Sequence, residues 1–369
     1  MSGPDRVLVV NAGSSSLKLR LLDRDDRTLA SADLPAPGGG VDRGDIAAAI
    51  AGFERPDAIG HRIVHGGTRF TGPVVLDASV EGALRALIDL APLHQPKSLA
   101  ALEAVNAILP DVPAVACFDT AFHATIPDAA ATYALPAEWR HRWQLRRYGF
   151  HGLSHAYASA RAAALLGRPV EDLRIVTCHL GAGASLAAVS GGRSVDTTMG
   201  FTPLEGLVMA TRSGSVDPGL VLWLEGHAGM PAEELASTLE HRSGLLGLAG
   251  TDDMREILVA ADAGRPAAVL ALGVYVHRLR AGIAAMAAAM GGLDALVFTG
   301  GVGERSPAIR DMAARDLAFL GIAIDPARNV QGEDDREIGA EGAAVASLVV
   351  AAREDLQIAR EVRGLLGGA

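Results

Sequence analysis

The chain has 369 residues, 49% of them hydrophobic and 21% charged, which is enough for two core-bearing domains. Its formal net charge of -10 argues against nucleic acid or an anionic membrane surface as a general partner. The start Met-Ser-Gly-Pro-Asp-Arg lacks the basic and apolar regions of a signal peptide, and the longest near-apolar run, residues 281–293, is too short to span a bilayer; a cytoplasmic protein without a membrane partner is expected.

The first stretch, Arg6-Val-Leu-Val-Val-Asn-Ala-Gly-Ser-Ser-Ser-Leu-Lys18, reads as a buried strand over residues 7–10, a tight loop of small residues and a second strand from Leu17. A hairpin of this kind offers backbone N–H groups and hydroxyls to a phosphate. The pattern returns at residues 174–190, where His179-Leu-Gly181-Ala-Gly183 joins two strands and Gly191-Gly192 makes a two-residue hairpin turn. In both copies a polar residue ends the first strand (Asn11, His179) and a glycine follows two residues later (Gly13, Gly181), so two related halves around one polyphosphate are expected. Of the 33 Lys and Arg residues only Lys18 and Lys97 are lysine, and the retention of Lys18 beside the first loop suits a compact ammonium near phosphate.

Further along, His61-Arg62-Ile-Val64-His65-Gly-Gly67 places three polar side chains at the end of a strand, before a glycine turn. Asp77 reads as the N-cap of an amphipathic helix carrying Val80, Leu84, Leu87 and Ile88 and stopped by Pro92, which leaves His94 in a loop. A second helix runs to about Leu109, and the strand over residues 112–118 delivers Asp119 at its carboxyl end, where α/β proteins bind ligands. Its other reading is an N-cap for the following segment. Cys117 and Cys178 end apolar strands and read as buried free thiols of a reducing compartment. Two segments, residues 146–155 and 197–219, are dense in functional side chains flanked by glycine; the second offers Arg212 amid small residues, as close phosphate contact requires. Finally, Ala295-Leu-Val-Phe-Thr-Gly300-Gly-Val-Gly-Glu304 reads as a strand and a glycine-rich loop. It leads into a helix with Ser306 as N-cap, Pro307 at its first position and Gly321 as its stop. No Gly-x-x-x-x-Gly-Lys-Ser/Thr motif occurs, which excludes a P-loop kinase.

Taken together, Asn11-Ala-Gly-Ser-Ser-Ser-Leu-Lys18, His61-Arg62-Ile-Val-His-Gly-Gly67, Phe118-Asp119-Thr-Ala-Phe-His123, Tyr148-Gly-Phe-His151-Gly, His179-Leu-Gly-Ala-Gly and Met209-Ala-Thr-Arg212-Ser-Gly resemble the acetate kinase family, in the family order and through nearly the whole chain. The resemblance implies an α/β fold of two duplicated actin-like ATPase (ribonuclease H-like) domains enclosing a nucleotide cleft. It also implies a homodimer, and reversible transfer of the ATP γ-phosphoryl group to acetate with Mg²⁺, or Mn²⁺ in its place. It divides the chain into residues 1–121 plus 363–369, for acyl substrate and phosphate, and residues 122–362, for nucleotide and dimerisation, with residues 119–123 as the hinge.

Carried over position by position, the resemblance assigns Asn11 and Glu354 to the metal and Ser14, Ser16 and Lys18 to the phosphate path. Arg62 and Arg212 clamp the carboxylate and the phosphoryl in flight, His151 contacts that phosphoryl with His94 and His179 nearby, and Asp119 positions substrate or metal. Val64, Leu93, Phe150 and Pro203 form the pocket for the acetate methyl group. Gly181, Gly183, Gly301 and Gly303 belong to the nucleotide site, with Asp253 and Arg255 bordering the base. The chemistry agrees: a carboxylate acceptor is already ionised at pH 7 and needs no general base, so the demand is for fixed positive charge and in-line positioning.

The chain departs from the family pattern at Ala182 (usually Asn), Gln95 (usually Asn), Ala210 (often Gly) and Arg353 (often Asn), and is shorter between Arg20 and His61. Two alternatives stay open: a propionate or butyrate kinase with a roomier pocket at Val64, and a non-catalytic nucleotide-binding regulator, suggested by Ala182.

Overall fold

The computed structural model describes residues 3–13, 16–36, 40, 42–91, 94–332 and 334–368. The chain forms two compact units: Met1–Ala124 with Phe150–Tyr157 and Arg353–Ala369, and Thr125–Gly149 with Ala158–Ala352.

The first unit is built on a six-stranded sheet of β1 (Val7–Ala12), β2 (Ser16–Leu22), β3 (Thr28–Pro35), β4 (Ala58–Ile63), β5 (Val74–Val75) and β6 (Ala114–Phe118), in the order β3-β2-β1-β4-β6-β5. Strands β1, β2 and β3 form an antiparallel meander, whereas β4 is parallel to β1 and β6 parallel to β4. Because β1 is central and covered on both faces, its four apolar residues, Val7 to Val10, are all buried. Strand β2 alternates instead, with Leu17, Leu19 and Leu21 buried and Lys18 exposed. The helices Arg43–Ala51 and Gln95–Ile108 cover one face through Ile46, Ile50, Ala101 and Val105. Each such fully buried aliphatic side chain contributes roughly 1.5–3 kcal/mol. The closing helix Glu354–Gly367 also belongs to this unit, where Gly60 makes room for it: a Cβ there would stand 2.5 Å from Ile358 Cγ2 and 2.8 Å from Val362 Cγ2.

The second unit repeats the plan with β7 (Arg174–Leu180), β8 (Ala184–Ser190), β9 (Arg193–Thr197), β10 (Ala295–Thr299), β11 (Arg336–Glu337) and β12 (Ala346–Val349), in the order β11-β12-β10-β7-β8-β9. Read from the meander outward the two sheets have one order, down to the short antiparallel edge strand (β5, β11) that precedes the last parallel strand in sequence. The duplication heard in the two hairpins is therefore a duplication of whole sheets. Gly191 and Gly192 close the β8–β9 hairpin with φ of 59° and 74°, the pair of positive angles that a type I′ turn demands.

Four local expectations need correction. The helix from Asp77 is capped as read, Asp77 Oδ1 accepting from Val80 N–H at 2.8 Å, but spans only Ala78–Arg85. The chain then leaves the helical path for a 3₁₀ turn, Ile88–Leu90, with Leu87 placed over Gly67. The glycine-rich run after β10 is no loop: Gly300–Arg305 is a helical turn, entered through Gly300 at φ 76° because the backbone there lies against Leu180. Ser306 does cap the next helix, Pro307–Arg315, which stops six residues before Gly321; that glycine ends a later 3₁₀ turn. Lastly, the longest apolar helix is Pro266–Ala289, 24 residues, long and apolar enough by length and composition to cross a membrane. Its buried positions Ala268, Ala271, Tyr275, Leu279, Ile283 and Met286 recur at helical spacing, the signature of a core helix with one face packed inside its unit.

Candidate active site

In the first unit, strand register assembles the site. Val10 lies beside His61 across β1 and β4, and Ile63 beside Phe118 across β4 and β6, so the carboxyl ends of three parallel strands present Asn11, Arg62 and Asp119 in a row. The Arg62 guanidinium donates through Nε to both Asp119 oxygens at 3.1 Å and through Nη2 to Oδ2 at 2.6 Å. Its Nη1 donates to Asn11 Oδ1 and to the Ala12 carbonyl, each at 3.3 Å. Asn11 Nδ2 in turn donates to Glu354 Oε2 at 2.7 Å, from the first turn of the closing helix. Asp119 is 1% exposed and the Arg62 side chain 14%. Burial works against charge on both, but Asp119 and Glu354 outweigh it at Arg62 and raise that pKa. Burial pushes the Asp119 carboxyl up, Arg62 opposes, and Glu354 adds to the rise.

Asn11, Asp119 and Glu354 offer only hard oxygen donors, two of them carboxylates, which is a donor set for Mg²⁺ or a similar ion rather than for zinc. No group of three or more His, Cys, Asp or Glu suited to a metal occurs among the described residues. Mg²⁺ commonly completes so small a protein donor set with water and substrate phosphates.

His151 belongs to the same unit and precedes Gly152, whose backbone bonds to that of Asp119. It has φ 56°, a left-handed conformation that a non-glycine residue adopts only where its surroundings impose it. Gly152 follows, its N–H donating to the Asp119 carbonyl at 2.9 Å, and a Cβ on Gly152 would lie 2.2 Å from that oxygen. Phe150 is buried edge-on against His65, with ring centroids 5.5 Å apart, and Val64 is buried as well. Gln95 is wholly buried: its Oε1 accepts from His65 N–H at 3.1 Å while its Nε2 donates to the His65 carbonyl at 3.2 Å. The Gln-for-Asn departure is thus a backbone clamp on the strand end that carries Val64 and His65. His61, by contrast, is structural: it is buried against Asn106 Oδ1 at 3.0 Å, and burial pulls its pKa down to about 4. His94 stands at the N-terminus of Gln95–Ile108, Ser16 opens β2, and Lys18 is exposed across from Asp33. Ser14 and Leu93 lie outside the described residues.

The second unit carries the remaining candidates. His179, the penultimate residue of β7, lies beside Thr299, and Gly181 N–H donates to the Gly183 carbonyl at 2.9 Å, forming the turn into β8. The Ala182 carbonyl accepts from Ala210 N–H at 3.1 Å, so two departures from the family pattern meet through their backbones and tie this turn to the segment of Arg212. Arg212 donates through Nε to Glu240 Oε1 at 2.7 Å, a pair whose side chains are 16% and 11% exposed. Pro203 is buried in a loop fixed by Tyr133, Arg147 and Glu205: the Tyr133 hydroxyl accepts from Phe201 N–H at 2.9 Å and donates to Glu205, which also pairs with Arg147 at 2.8 Å. Gly301 and Gly303 fall in the helical turn after β10. Asp253 caps the helix Met254–Asp262 and is held down to about 2 by its hydrogen bonds from Arg255, whose side chain is 90% exposed. Glu240 and the Tyr133–Arg147–Glu205 group were not legible as site supports, because no spacing links them to the residues they hold.

A duplicated sheet of this order, with a charged cluster at the parallel strand ends of one copy and a glycine turn at those of the other, defines a phosphotransferase of the actin-like ATPase fold. The profile of the Acetokinase family matches residues 48–360, and the chain belongs to that family. The acetate kinase of Streptomyces griseus is 45% identical over 399 aligned positions, covering 99% of this chain and 97% of that protein. The crystal structure of Porphyromonas gingivalis acetate kinase superposes with a TM-score of 0.89 at 37% identity, over 97% of this chain and 98% of that one. A propionate kinase from Francisella tularensis superposes with a TM-score of 0.88 at 36% identity, over 97% and 98%.

Proposed function

We propose that the protein is an acetate kinase, transferring the γ-phosphoryl group of ATP reversibly to acetate to give acetyl phosphate and ADP. The observation that carries this reading is the Arg62 guanidinium, oriented by buried Asp119 at the ends of three parallel strands, in a chain whose relatives at this identity are acetate kinases. An acetate oxygen attacks the γ-phosphorus, the bond to the β,γ-bridging oxygen breaks, and ADP leaves with that electron pair; no proton has to move. The protein's work is to hold two anions together, and we assign it as follows. Arg62 and Arg212 neutralise the reacting oxygens, His151 donates to the transferring phosphoryl with His94 and His179 on the same path, and Asp119 orients Arg62. Ser14, Ser16 and Lys18 receive phosphate; Gly181, Gly183, Gly301 and Gly303 leave room for the nucleotide, with Asp253 and Arg255 at its base. Asn11 and Glu354 would hold Mg²⁺, which would neutralise phosphate charge. Residues up to the hinge segment 119–123 serve the acyl group and phosphate, and the second unit serves the nucleotide.

Val64, Phe150, Pro203 and Leu93 are assigned to the acetate methyl group. Acyl phosphate, trapped as the hydroxamate, should form fastest from acetate, less from propionate and least from butyrate, and chelation of Mg²⁺ should abolish it. Val64→Ala should raise the propionate-to-acetate ratio of kcat/KM by ~10-fold, about what one methylene is worth. A propionate or butyrate optimum in the native chain would keep the mechanism and move the assignment to those acids. ATP binding with no hydroxamate from any acid would favour the regulator.

We also infer a homodimer. The helix Pro218–Gly226 has no buried residue, yet Leu220, Leu222 and Trp223 are 48%, 68% and 54% exposed. Such an apolar face is covered in working proteins. Sedimentation should give twice the 38.0 kDa chain mass, and Leu222→Glu with Trp223→Glu should give monomers. A native chain that sediments as a monomer at micromolar concentration removes the inference.

A further inference from the structure

The backbone of His151 is left-handed, and something must hold it there. Two hydrogen bonds reach the residues on either side of it, both from the short segment after β6. Ahead of His151, His123 Nε2 lies 3.0 Å from the Phe150 carbonyl oxygen; that oxygen can only accept, so Nε2 carries the proton and donates. Behind it, the Asp119 carbonyl accepts from Gly152 N–H at 2.9 Å. His123 is itself fully buried, its backbone N–H donating to the Thr120 carbonyl at 3.2 Å and its ring edge-on to that of buried His155 at 5.7 Å. The side chain is thus packed from behind and donates in front to the Phe150 carbonyl.

We propose that His123 is a positioning residue for His151. Its imidazole N–H pins the peptide between Phe150 and His151, and, with the Asp119 carbonyl pinning the next peptide, between His151 and Gly152, it forces the left-handed turn that aims the His151 ring. The same segment thereby orients both partners of the chemistry: Asp119 through its carboxylate sets Arg62, and His123 sets His151. The inference rests on the catalytic role proposed for His151 and adds to it a reason for the ring's placement.

The test uses reach. In His123→Gln the amide Nε2 can occupy the position of the imidazole Nε2, whereas in His123→Asn the amide falls short, although both side chains are polar and no larger than histidine. Acyl phosphate formation and exchange of the Gly152 amide are measured on both full-length variants. We expect His123→Asn to lose kcat by ~100-fold, with KM for acetate and ATP within about threefold of native, since misplacement by about 1 Å costs that much. The Gly152 amide should exchange at least ~10-fold faster in that variant. His123→Gln should keep kcat within about threefold of native. His123→Asn combined with His151→Ala should be no slower than His151→Ala alone, because the first change acts through the second residue. Equal losses in Asn and Gln variants would make His123 a packing residue and overturn the proposal, as would native exchange and native turnover in both. Faster exchange with native kcat in His123→Asn would also overturn it, and His151→Ala then separates the two readings: a slow His151→Ala keeps the role of His151 and removes only its positioning by His123, whereas native turnover there removes the role of His151 itself.

Discussion

Replacing Arg62 by alanine is expected to slow acetyl phosphate formation at least ~100-fold and to destabilise the chain by about 3–5 kcal/mol. Both effects come from one geometry. The guanidinium meets Asp119 through two nitrogens, and the carboxylate is 1% exposed, so truncation leaves an unpaired buried charge as well as a missing clamp. The two losses separate in Arg62→Ala/Asp119→Asn, which removes the orphaned charge: stability in urea should largely return while turnover does not. A pH series adds a sign. Burial and Glu354 already raise the Asp119 pKa against the pull of Arg62, and without Arg62 the rise grows. An acid whose folded pKa lies above its unfolded value destabilises the fold as pH climbs from the unfolded pKa through the folded one. Relative to native, Arg62→Ala should therefore lose stability as pH climbs past the already raised folded pKa of native Asp119. Arg62→Lys should rescue little turnover, because an ammonium cannot span Asp119, Asn11 and the Ala12 carbonyl at once. Turnover within about threefold of native in Arg62→Ala would take the residue out of the mechanism.

What the sequence made legible was residue type and place along the chain. Asn11, Arg62 and Asp119 each follow an apolar strand, and strand ends are where such folds bind ligands. What it did not make legible was partnership. That Asp119 spends its carboxylate on Arg62 follows from the parallel register of β4 and β6, and a register between strands some fifty residues apart leaves no trace in spacing. Glu240 is hidden for the same reason: it sits on the helix Ala232–His241 with nothing local to set it apart from Glu233 or Glu234. The errors in secondary structure also have physical causes. Glycines at residues 300–303 read as loop by propensity, yet packing against Leu180 makes a helical turn of them. Leu87 and Ile88 continue the helical period of Val80 and Leu84, but the contact of Leu87 with Gly67 ends the helix first.

The departures from the family pattern gain meaning only in three dimensions. Gln95 is one methylene longer than the usual Asn and uses that length to bond both backbone groups of His65. Ala182 and Ala210 are joined by a backbone hydrogen bond, which needs neither side chain. Gln95 thus holds the strand end that carries Val64, and the turn at Ala182 is tied to the segment of Arg212 through backbone alone.

Arg212→Ala should likewise slow turnover at least ~100-fold, and here the local fold says why a lysine cannot replace it. The segment around Arg212 is stitched to the end of the helix Ala232–His241 by Ser213 N–H to the Leu239 carbonyl (3.0 Å), Ser243 N–H to the Thr211 carbonyl (2.9 Å) and the Thr211 hydroxyl to the Glu240 carbonyl (2.9 Å). Gly244 presses on it from the far side, where a Cβ would stand 2.3 Å from the Met209 carbonyl oxygen. The backbone is thus fixed, and Glu240 fixes the side chain by taking the Nε–H and so setting the plane of the guanidinium. Lysine has no donor at Nε and no plane to set, so Arg212→Lys should remain ~10-fold or more below native despite its charge. Glu240→Ala keeps the arginine but frees its plane, and should lower kcat by ~10-fold while leaving the KM for ATP nearly unchanged. Millimolar guanidinium ion added to Arg212→Ala should recover part of the lost rate, since the pocket and its carboxylate remain, and should do nothing for Glu240→Ala. Full activity in Arg212→Lys would mean that charge alone suffices, and the orienting role given to Glu240 would have to be abandoned.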